Sequence, residues 1–326
     1  MPLLEVKSLV KHFPLTQGLF SFAKKIVHAV NDVSLTIEAG ETFGLVGESG
    51  SGKSTLARAI IRLIEPDSGT ISFENKPITF IKPKQLKPLR REIQFIFQDP
   101  YSSLNPRMNI AEILSEGLKV HRIGSKKEQF ERVLELLKLV GLSPNDAGKY
   151  PREFSGGQRQ RIGIARALSV NPKLIICDEP LSALDVSIQA QILNLLSDLQ
   201  KNLKVSYLFI SHDLRVIPHM SHRIGVMYLG SLVEVMPKEA LFNCVHPYTQ
   251  GLLNAIPKVS QTRRSRPALI TGEVPSPIDL PNGCTFHPRC PYAQERCRQE
   301  VPALRTFKEN HRVACHFAET IPPLPV

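Results

Sequence analysis

A glycine-rich stretch in the first quarter of the chain has the residue types and spacing that hold a polyphosphate. It runs Gly47-Glu48-Ser49-Gly50-Ser51-Gly52-Lys53-Ser54-Thr55 and fits the pattern G-x-x-x-x-G-K-[ST]. The backbone N–H groups of such a loop, and the N-terminus of the helix that follows, attract phosphate oxygens. We expect Lys53 to reach the β- and γ-phosphates and the Ser54 hydroxyl to ligate Mg²⁺. The stretch therefore predicts a nucleotide site.

Two adjacent carboxylates come later in the chain, after a run of apolar residues. The run at 174–177 predicts a buried strand of a parallel sheet, and Asp178 and Glu179 follow at its carboxyl end. Asp178 suits the Mg²⁺ shell, and Glu179 suits a general base that polarises water against the γ-phosphate. The alternative is a solvated strand end, but a chain that already carries a phosphate loop favours the catalytic interpretation.

Three further residues are weaker candidates, because each rests on its position alone. Gln98 ends a predicted strand at 92–97, where a polar side chain is well placed to touch Mg²⁺ or its water. His212 follows another apolar run and is placed to bond the γ-phosphate or the attacking water, although a lone histidine is more often structural. Phe13 is either an adenine-stacking ring or an ordinary core aromatic.

A second Ser/Gly-rich turn precedes a predicted helix at 159–168. It consists of Ser155-Gly156-Gly157-Gln158 and follows Phe154. A turn of this kind at a helix N-terminus is chemically able to cradle phosphate oxygens. It is also what a simple helix cap looks like, so the residues alone leave both interpretations open.

The elements that must position these residues alternate in a pattern typical of the α/β class. Strand-like segments occur at 4–6, 33–37, 43–46, 71–73, 92–97, 174–177 and 205–210, with Pro100 ending regular structure after the segment at 92–97. The pattern becomes helical from residue 110 to about 140, which predicts a helical insertion between two parts of the core. An irregular loop at 14–27 carries apolar residues and is either a packed flap or a contact surface.

Length and composition restrict the remaining possibilities. The chain has 326 residues, enough for one large domain and a smaller one, and 42% of them are apolar. It contains no run of about 18 apolar residues and no secretory signal, so we expect a cytosolic chain that docks on a membrane protein. The net charge of +11 permits nucleic acid or an anionic surface as a partner, but no base-reading module is visible.

These parts together closely resemble the ATP-binding subunits of ATP-binding-cassette (ABC) transporters, over residues 3 to about 235. The resemblance implies a P-loop NTPase core with an antiparallel β subdomain and a helical insertion at about 100–165. It also implies that two cassettes pack head to tail and that each ATP lies between one phosphate loop and the other subunit's signature turn, here residues 155–158. Asp185 would join the two sites, and Gln98 would report nucleotide state to the docking surface. Phe154 replaces the usual leucine.

A narrower resemblance is to the oligopeptide/dipeptide importer subfamily. It rests on residues 98–107, on 246–249 and on the cysteine-bearing tail from Pro275. It implies a nucleotide-binding domain at 1–235 and a C-terminal peptide-importer domain at 236–326. The implied partners are two membrane permease subunits, a sister ATPase rather than a second copy, and indirectly an extracellular peptide-binding protein. The implied place is the cytoplasmic face of the inner membrane, and the implied activity is ATP hydrolysis that drives peptide uptake.

Four of the six cysteines crowd towards the end of the chain. Cys284, Cys290, Cys297 and Cys315 are separated by five, six and seventeen residues. Structural zinc usually shows one pair about two to four residues apart, and four thiolates at wider spacing fit a [4Fe–4S] cluster better. Zinc and free thiols remain alternatives, and three nearby histidines are possible substitute ligands: His287, His311 and His316. Because the tail is rich in proline, we expect a loop-rich module rather than more sheet, with metal stabilising it.

Two other functions compete with the importer interpretation. One is a soluble cassette ATPase that acts on DNA or ribosomes, although such proteins usually carry long coiled coils or two cassettes in one chain. The other makes the cysteine module a redox sensor or iron–sulfur carrier. We regard the second as regulatory at most, since the ATPase parts are complete.

Overall fold

The structure is a computed structural model, and it describes residues 1–15, 25–256, 270, 272–322 and 324. The chain divides into two compact units, each built from separate segments. The first unit comprises Met1–Leu3, Ile37–Thr42 and Phe80–Ser211, and the second comprises Leu4–Thr36, Phe43–Thr79 and His212–Val326. Most of the predicted loop at 14–27 lies outside the described residues.

Twelve strands occur in the described part of the chain. In chain order they are β1 (Leu4–Leu15), β2 (Lys25–Ile37), β3 (Thr42–Val46), β4 (Ser68–Phe73), β5 (Lys76–Pro77), β6 (Ile93–Ile96), β7 (Leu174–Asp178), β8 (Ser206–Ser211), β9 (Arg223–Tyr228), β10 (Ser231–Pro237), β11 (Arg305–Lys308) and β12 (His311–Val313).

Ten α-helices occur in the same residues. They are α1 (Lys53–Ile60), α2 (Pro83–Glu92), α3 (Pro100–Ser103), α4 (Ile110–Val120), α5 (Lys126–Leu139), α6 (Gly156–Leu168), α7 (Val186–Leu203), α8 (Ile217–Met220), α9 (Pro247–Asn254) and α10 (Glu295–Gln299). Short 3-10 turns lie at Pro144–Gly148, Pro151–Glu153, Lys238–Asn243 and His287–Arg289.

The first unit combines a parallel sheet segment with a group of helices. β7 lies between β6 and β8 and pairs with both in parallel, so that Asp178 stands opposite Ile210. Every residue of β7 and β8 is buried, as the apolar runs in the sequence predict. α4, α5 and α6 bury one face each, and this confirms the predicted helical insertion into an α/β core.

The second unit contains two sheets. One is antiparallel with the order β2-β1-β4-β5, and it is the antiparallel β subdomain that the resemblance implies. In the other, β3 pairs in parallel with β9, and β10, β12 and β11 continue from β9 in antiparallel fashion. The phosphate loop follows β3 directly, so the loop starts from a buried strand.

Three expectations about the elements need correction. The tail is not only loops: β11 and β12 extend a sheet, because alternating residues at 305–313 pair with each other and then with β10. Pro100 does not end regular structure; it occupies the first turn of α3, where its missing N–H costs nothing, and Asp99 caps that turn. The helical stretch at 110–140 is two helices, since Ser125 caps a new one.

Candidate functional site

The phosphate loop of the second unit has the strand–turn–helix setting that its sequence predicts. β3 is buried throughout, and α1 begins at Lys53. Gly52 precedes α1 with φ +100°, and a Cβ there would lie 2.0 Å from the carbonyl oxygen of Ala29. Only glycine fits this position. Gly52 makes no side-chain cap, and the N-terminus of α1 carries the partial positive charge that attracts an anion.

The lysine of the loop is buried and folded back onto the loop itself. Only 4% of Lys53 is exposed, and its Nζ donates hydrogen bonds of 2.8 Å to the carbonyl oxygens of Gly47 and Glu48. A third contact, of 3.3 Å, reaches the hydroxyl of Ser51. The ammonium group is thus held over the loop, where a phosphate chain that follows the backbone N–H groups would meet a positive charge.

The acidic pair of the first unit lies at the end of β7, as predicted. Asp178 is the last residue of the strand and is 1% exposed, whereas Glu179 is half-buried. Glu179 has φ +48°, an uncommon conformation for a residue with a side chain, and its N–H donates to the carbonyl oxygen of Ile210 at 3.1 Å. Backbone held in this region is often found at functional sites.

The structure brings two predicted residues of the first unit into contact. The amide Nε2 of Gln98 donates a hydrogen bond of 3.0 Å to Oε2 of Glu179. Gln98 follows β6 and Glu179 follows β7, and these strands are parallel neighbours, so both side chains emerge at the same sheet edge. A half-buried carboxylate oriented by an amide donor is suited to general-base chemistry.

The second Ser/Gly turn is a helix cap in its local structure. Ser155 precedes α6, its Oγ accepts from the N–H of Gln158 at 3.3 Å, and its own N–H donates to the Gln158 side chain at 2.9 Å. Both residues are nevertheless exposed. Gly157 is buried, and a Cβ there would lie 2.5 Å from Cγ2 of Ile188 in α7. Gly157 therefore packs closely against α7, while the N-terminus of α6 faces outwards.

The remaining predicted residues lie at element ends or edges. Asp185 is exposed and precedes α7 in the first unit. In the second unit, His212 is exposed, and Phe13 is half-buried in β1 with the Nζ of Lys11 5.3 Å from its ring centroid. No helix in the described ranges has the length and apolarity needed to cross a bilayer.

The four tail cysteines converge on one small cavity in the second unit. Cys284, Cys290, Cys297 and Cys315 all line it, together with the aromatic ring of Phe286. Burial raises the pKa of the Cys284 thiol to about 11 and that of Cys290 to about 12, and it also raises the pKa of Cys315. Within the described residues, however, no group of three or more His, Cys, Asp or Glu is arranged to hold a metal ion.

Each histidine that the sequence suggests as a substitute ligand makes a hydrogen bond of its own, although His287 and His316 also line the cavity. Nδ1 of His287 lies 2.9 Å from the carbonyl oxygen of Cys284, and Nε2 of His316 lies 2.9 Å from that of Glu300. His311 does not line the cavity; its Nε2 lies 2.8 Å from Oε1 of the buried Glu234. The cysteines are therefore the better candidates for any ligand of this cavity.

Sequence analysis missed the ion pair that a residue of the tail forms with the phosphate loop. Arg289, in the cysteine-bearing tail, forms a bidentate ion pair with Glu48, at 2.8 and 3.0 Å. The two residues are 241 positions apart in the chain. Nothing in their local sequence predicts this pairing, and the only available signal is an arginine placed directly before Cys290.

A phosphate loop between a buried strand and a helix, together with carboxylates at the end of a buried parallel strand, defines a P-loop nucleotide hydrolase. The ABC transporter family matches residues 30–182, and the C-terminal region of oligopeptide/dipeptide transporters matches residues 233–297. The chain belongs to the family of ATP-binding proteins of peptide ABC transporters and is an ABC-type ATPase. The predicted resemblance is thereby confirmed.

The relatives match nearly the whole chain. "Probable peptide ABC transporter ATP-binding protein y4tS" of Sinorhizobium fredii is 52% identical over 96% of this chain and 89% of its own length. Oligopeptide transport ATP-binding protein AppF of Bacillus subtilis is 50% identical over 97% of each chain. Di/tripeptide transport ATP-binding protein DppF of Pseudomonas aeruginosa is 47% identical over 97% of this chain and 98% of its own. These relatives favour the transporter interpretation over a DNA- or ribosome-acting cassette.

Solved structures agree with the fold. A dimeric, post-hydrolysis structure of the ATP-binding cassette MJ0796 bound to ADP and Pi is 31% identical with a TM-score of 0.64, and the match covers 72% of this chain and 98% of that one. A structure of cbiO1 from Clostridium perfringens, part of the transporter complex cbiONQ, is 30% identical with a TM-score of 0.64. The match covers 74% of this chain and 91% of that one.

Proposed function

We propose that this chain hydrolyses ATP to power the uptake of di- and oligopeptides through a membrane permease. The observation that carries the proposal is the 47–52% identity to peptide-transport ATP-binding proteins across 96–97% of the chain. The match extends over the tail as well as the cassette. A shared cassette alone would support only an ABC ATPase, whereas the shared C-terminal region supports the peptide-importer type.

We propose the following roles within the ATP site. Residues 47–55 hold the phosphates, with Lys53 at the β- and γ-phosphates and Ser54 on Mg²⁺. Asp178 and Gln98 complete the Mg²⁺ and water shell, and Glu179 is the general base. His212 bonds the γ-phosphate, and Phe13 stacks on the adenine ring. The burial of Lys53 and the Gln98–Glu179 hydrogen bond support these assignments.

We also propose that the chain works as one half of a head-to-tail cassette pair. The exposed turn Ser155-Gly156-Gly157-Gln158 would then meet the ATP of the other cassette, and Asp185 would connect the two sites. Support comes from the exposure of Ser155, Gln158 and Asp185 and from a cassette relative of known structure that is dimeric. The importer subfamily favours a sister ATPase as the other half.

The cellular setting follows from the same proposal. The cassette at 1–235 and the tail at 236–326 would form two functional domains, attached peripherally to the cytoplasmic face of the inner membrane. Two permease subunits would bind the helical insertion, and an extracellular peptide-binding protein would deliver the cargo. Nucleic acid is not an expected partner.

Co-expression with candidate permease and sister-ATPase subunits tests the function. We expect the chain to co-purify with them, and peptide added with its binding protein to stimulate ATP turnover in reconstituted vesicles. The proposal would be contradicted if the chain, assembled with an intact permease, hydrolysed ATP at the same rate with and without peptide. Co-purification with nucleic acid or ribosomes instead would support the competing cassette function.

For the tail, we propose that Cys284, Cys290, Cys297 and Cys315 hold a [4Fe–4S] cluster. Four thiolates are the usual donor set of such a cluster, and all four side chains line one cavity. When bound, the cluster would cross-link three segments of a proline-rich module and so stabilise it.

Anaerobic purification tests the cluster. We expect brown protein with about four irons and four sulfides per chain. Cys297→Ser should lose the colour, whereas Cys244→Ser, in a buried cysteine outside the cavity, should keep it. Colourless protein with stoichiometric zinc would support the zinc alternative, and metal-free protein would leave the free-thiol alternative.

A further inference from the structure

The C-terminal module reaches the phosphate loop through one buried ion pair. Nη1 and Nη2 of Arg289 donate to the two carboxylate oxygens of Glu48 at 2.8 and 3.0 Å. The arginine side chain is 7% exposed and the glutamate 27%. Bidentate arginine–carboxylate pairs are among the strongest charged contacts in proteins, and removing one partner of a desolvated pair leaves an uncompensated charge.

A second contact from the same module holds the backbone of the same residue. The hydroxyl of Tyr248 accepts a hydrogen bond of 2.9 Å from the N–H of Glu48. Tyr248 is fully buried, and its ring lies 4.6 Å from that of Tyr228, centroid to centroid. The side chain and the backbone of Glu48 are therefore both fixed by residues of the C-terminal module, 236–326.

Because Glu48 lies in the phosphate loop, its contacts with Arg289 and Tyr248 can affect ATP binding. Glu48 directly follows Gly47, and its carbonyl oxygen accepts one of the two 2.8 Å hydrogen bonds from Nζ of Lys53. A shift of Glu48 therefore moves an anchor of the lysine that faces the phosphates. Holding Glu48 in place pre-organises the loop, and pre-organisation is a direct contribution to binding affinity.

Arg289 is itself fixed by the cysteine-bearing segment. It closes the 3-10 turn His287–Arg289, between Cys284 and Cys290, and the N–H of Cys284 donates to the carbonyl oxygen of Cys297 at 2.8 Å. Phe286 packs against both tyrosines, with centroid distances of 5.3 and 5.4 Å. The segment that lines the cysteine cavity thus also sets the position of the arginine.

We infer that the C-terminal module completes the ATP site, and that Arg289 is the positioning residue through which it holds the phosphate loop. The inference rests on the proposal that residues 47–55 bind ATP. In this arrangement the arginine also neutralises the Glu48 carboxylate, which would otherwise repel a polyphosphate. Loss of Arg289 therefore weakens ATP binding in two ways: the loop loses its anchor and gains an unpaired negative charge.

The test compares full-length variants by equilibrium binding of a non-hydrolysable ATP analogue with Mg²⁺ and by ATPase kinetics. We expect Arg289→Met to bind the analogue about tenfold more weakly and to raise KM for ATP by a similar factor, with a smaller effect on kcat. Arg289→Lys, which keeps the charge but loses the bidentate fork, should fall between Met and wild type. The matched control is Arg305→Met, which breaks an exposed ion pair with Glu319 in the same module.

The decisive arm is a double variant that a purely structural role would not affect. In the Arg289→Met background, Glu48→Gln should recover part of the lost analogue affinity, because it removes the unpaired charge. Wild-type affinity in Arg289→Met, or no recovery in the double variant, would overturn the inference. If Lys53→Ala keeps wild-type affinity, the proposed ATP site itself fails; if Lys53→Ala loses binding while Arg289→Met does not, only the positioning role fails.

Discussion

The Gln98 amide donates a hydrogen bond of 3.0 Å to the Glu179 carboxylate, and the two residues follow neighbouring parallel strands. The sequence predicts that Gln98 reports nucleotide state and that Glu179 activates water, so their contact links the two expected roles. A carboxylate that accepts this hydrogen bond is held in one orientation, which suits a group that must take a proton from water. We therefore expect catalysis to be sensitive to Gln98 even if Gln98 binds no phosphate.

Replacement of Gln98 by alanine should lower kcat about tenfold with little change in KM for ATP, because a hydrogen bond to a charged group is lost. Gln98→Glu should lower kcat as well, since it replaces the amide donor by a second carboxylate that repels the Glu179 carboxylate. The matched control is Gln94→Ala in β6, whose amide bonds the carbonyl oxygen of Arg90. Steady-state ATPase assays check both, and wild-type kcat in Gln98→Ala would contradict the positioning role.

Lys53→Ala should abolish measurable ATP affinity at concentrations that saturate the wild type. The ammonium group is a buried positive charge, and two backbone carbonyls of the loop hold it over the loop. Replacing it by alanine removes the charge that attracts the phosphates. Calorimetric titration with MgATP measures the loss. Lys201→Ala, at an exposed lysine near the end of α7, serves as the control and should bind normally.

The two signature glycines should respond differently to substitution by alanine. A Cβ on Gly157 would meet Cγ2 of Ile188 at 2.5 Å, whereas a Cβ on Gly156 would be 3.6 Å from its nearest neighbour, in Leu184. We expect Gly157→Ala to lower the free energy of unfolding by about 1–3 kcal/mol and Gly156→Ala to have little effect on it. Denaturant unfolding measures both. Recovery in Gly157→Ala/Ile188→Ala would confirm the cause, and equal stability of the two single variants would refute it.

Stability should decline in mild acid because of a buried histidine. His246 is 1% exposed, and burial lowers its pKa from 6.5 to about 4. The unfolded chain therefore binds a proton between these pH values that the folded chain does not. The stabilising effect is complete above pH 6.5 and is lost as the pH falls towards 4, for a total of about 3 kcal/mol.

His246→Asn should remove this pH dependence without removing the helix cap. His246 caps α9 by accepting from the N–H of Tyr248, and asparagine is a good substitute at such a position. The measurement is the difference in unfolding midpoint between wild type and variant from pH 7 to pH 4.5. A difference that stays constant over this range would show that another group is responsible.

Local pattern predicts most of the cassette, because its functional residues follow directly from buried runs. The phosphate loop, Asp178 and Glu179 each come after apolar residues that form a strand, so position in sequence fixes position in the sheet. Long-range pairing is what the pattern does not contain. The Arg289–Glu48 contact joins residues 241 apart, and β12 joins β10 through a pairing that the proline-rich tail does not suggest.

The cysteine spacing predicts only part of the C-terminal module, because it too contains no information on long-range contacts. It indicated that four thiols act together, and the structure places all four around one cavity. It could not indicate that the segment between Cys284 and Cys290 also carries an arginine to the phosphate loop. Side chains that serve two neighbouring sites are recognised only when both sites are seen folded.

The central claim is that Glu179 activates the water that cleaves bound ATP, and the most direct measurement compares Glu179→Gln with wild type. ATP turnover and MgATP binding are measured on the same preparations, assembled with the permease and partner ATPase. We predict that turnover falls about 10²–10⁴-fold while MgATP affinity is unchanged. Hydrolysis by Glu179→Gln at the wild-type rate would contradict the account.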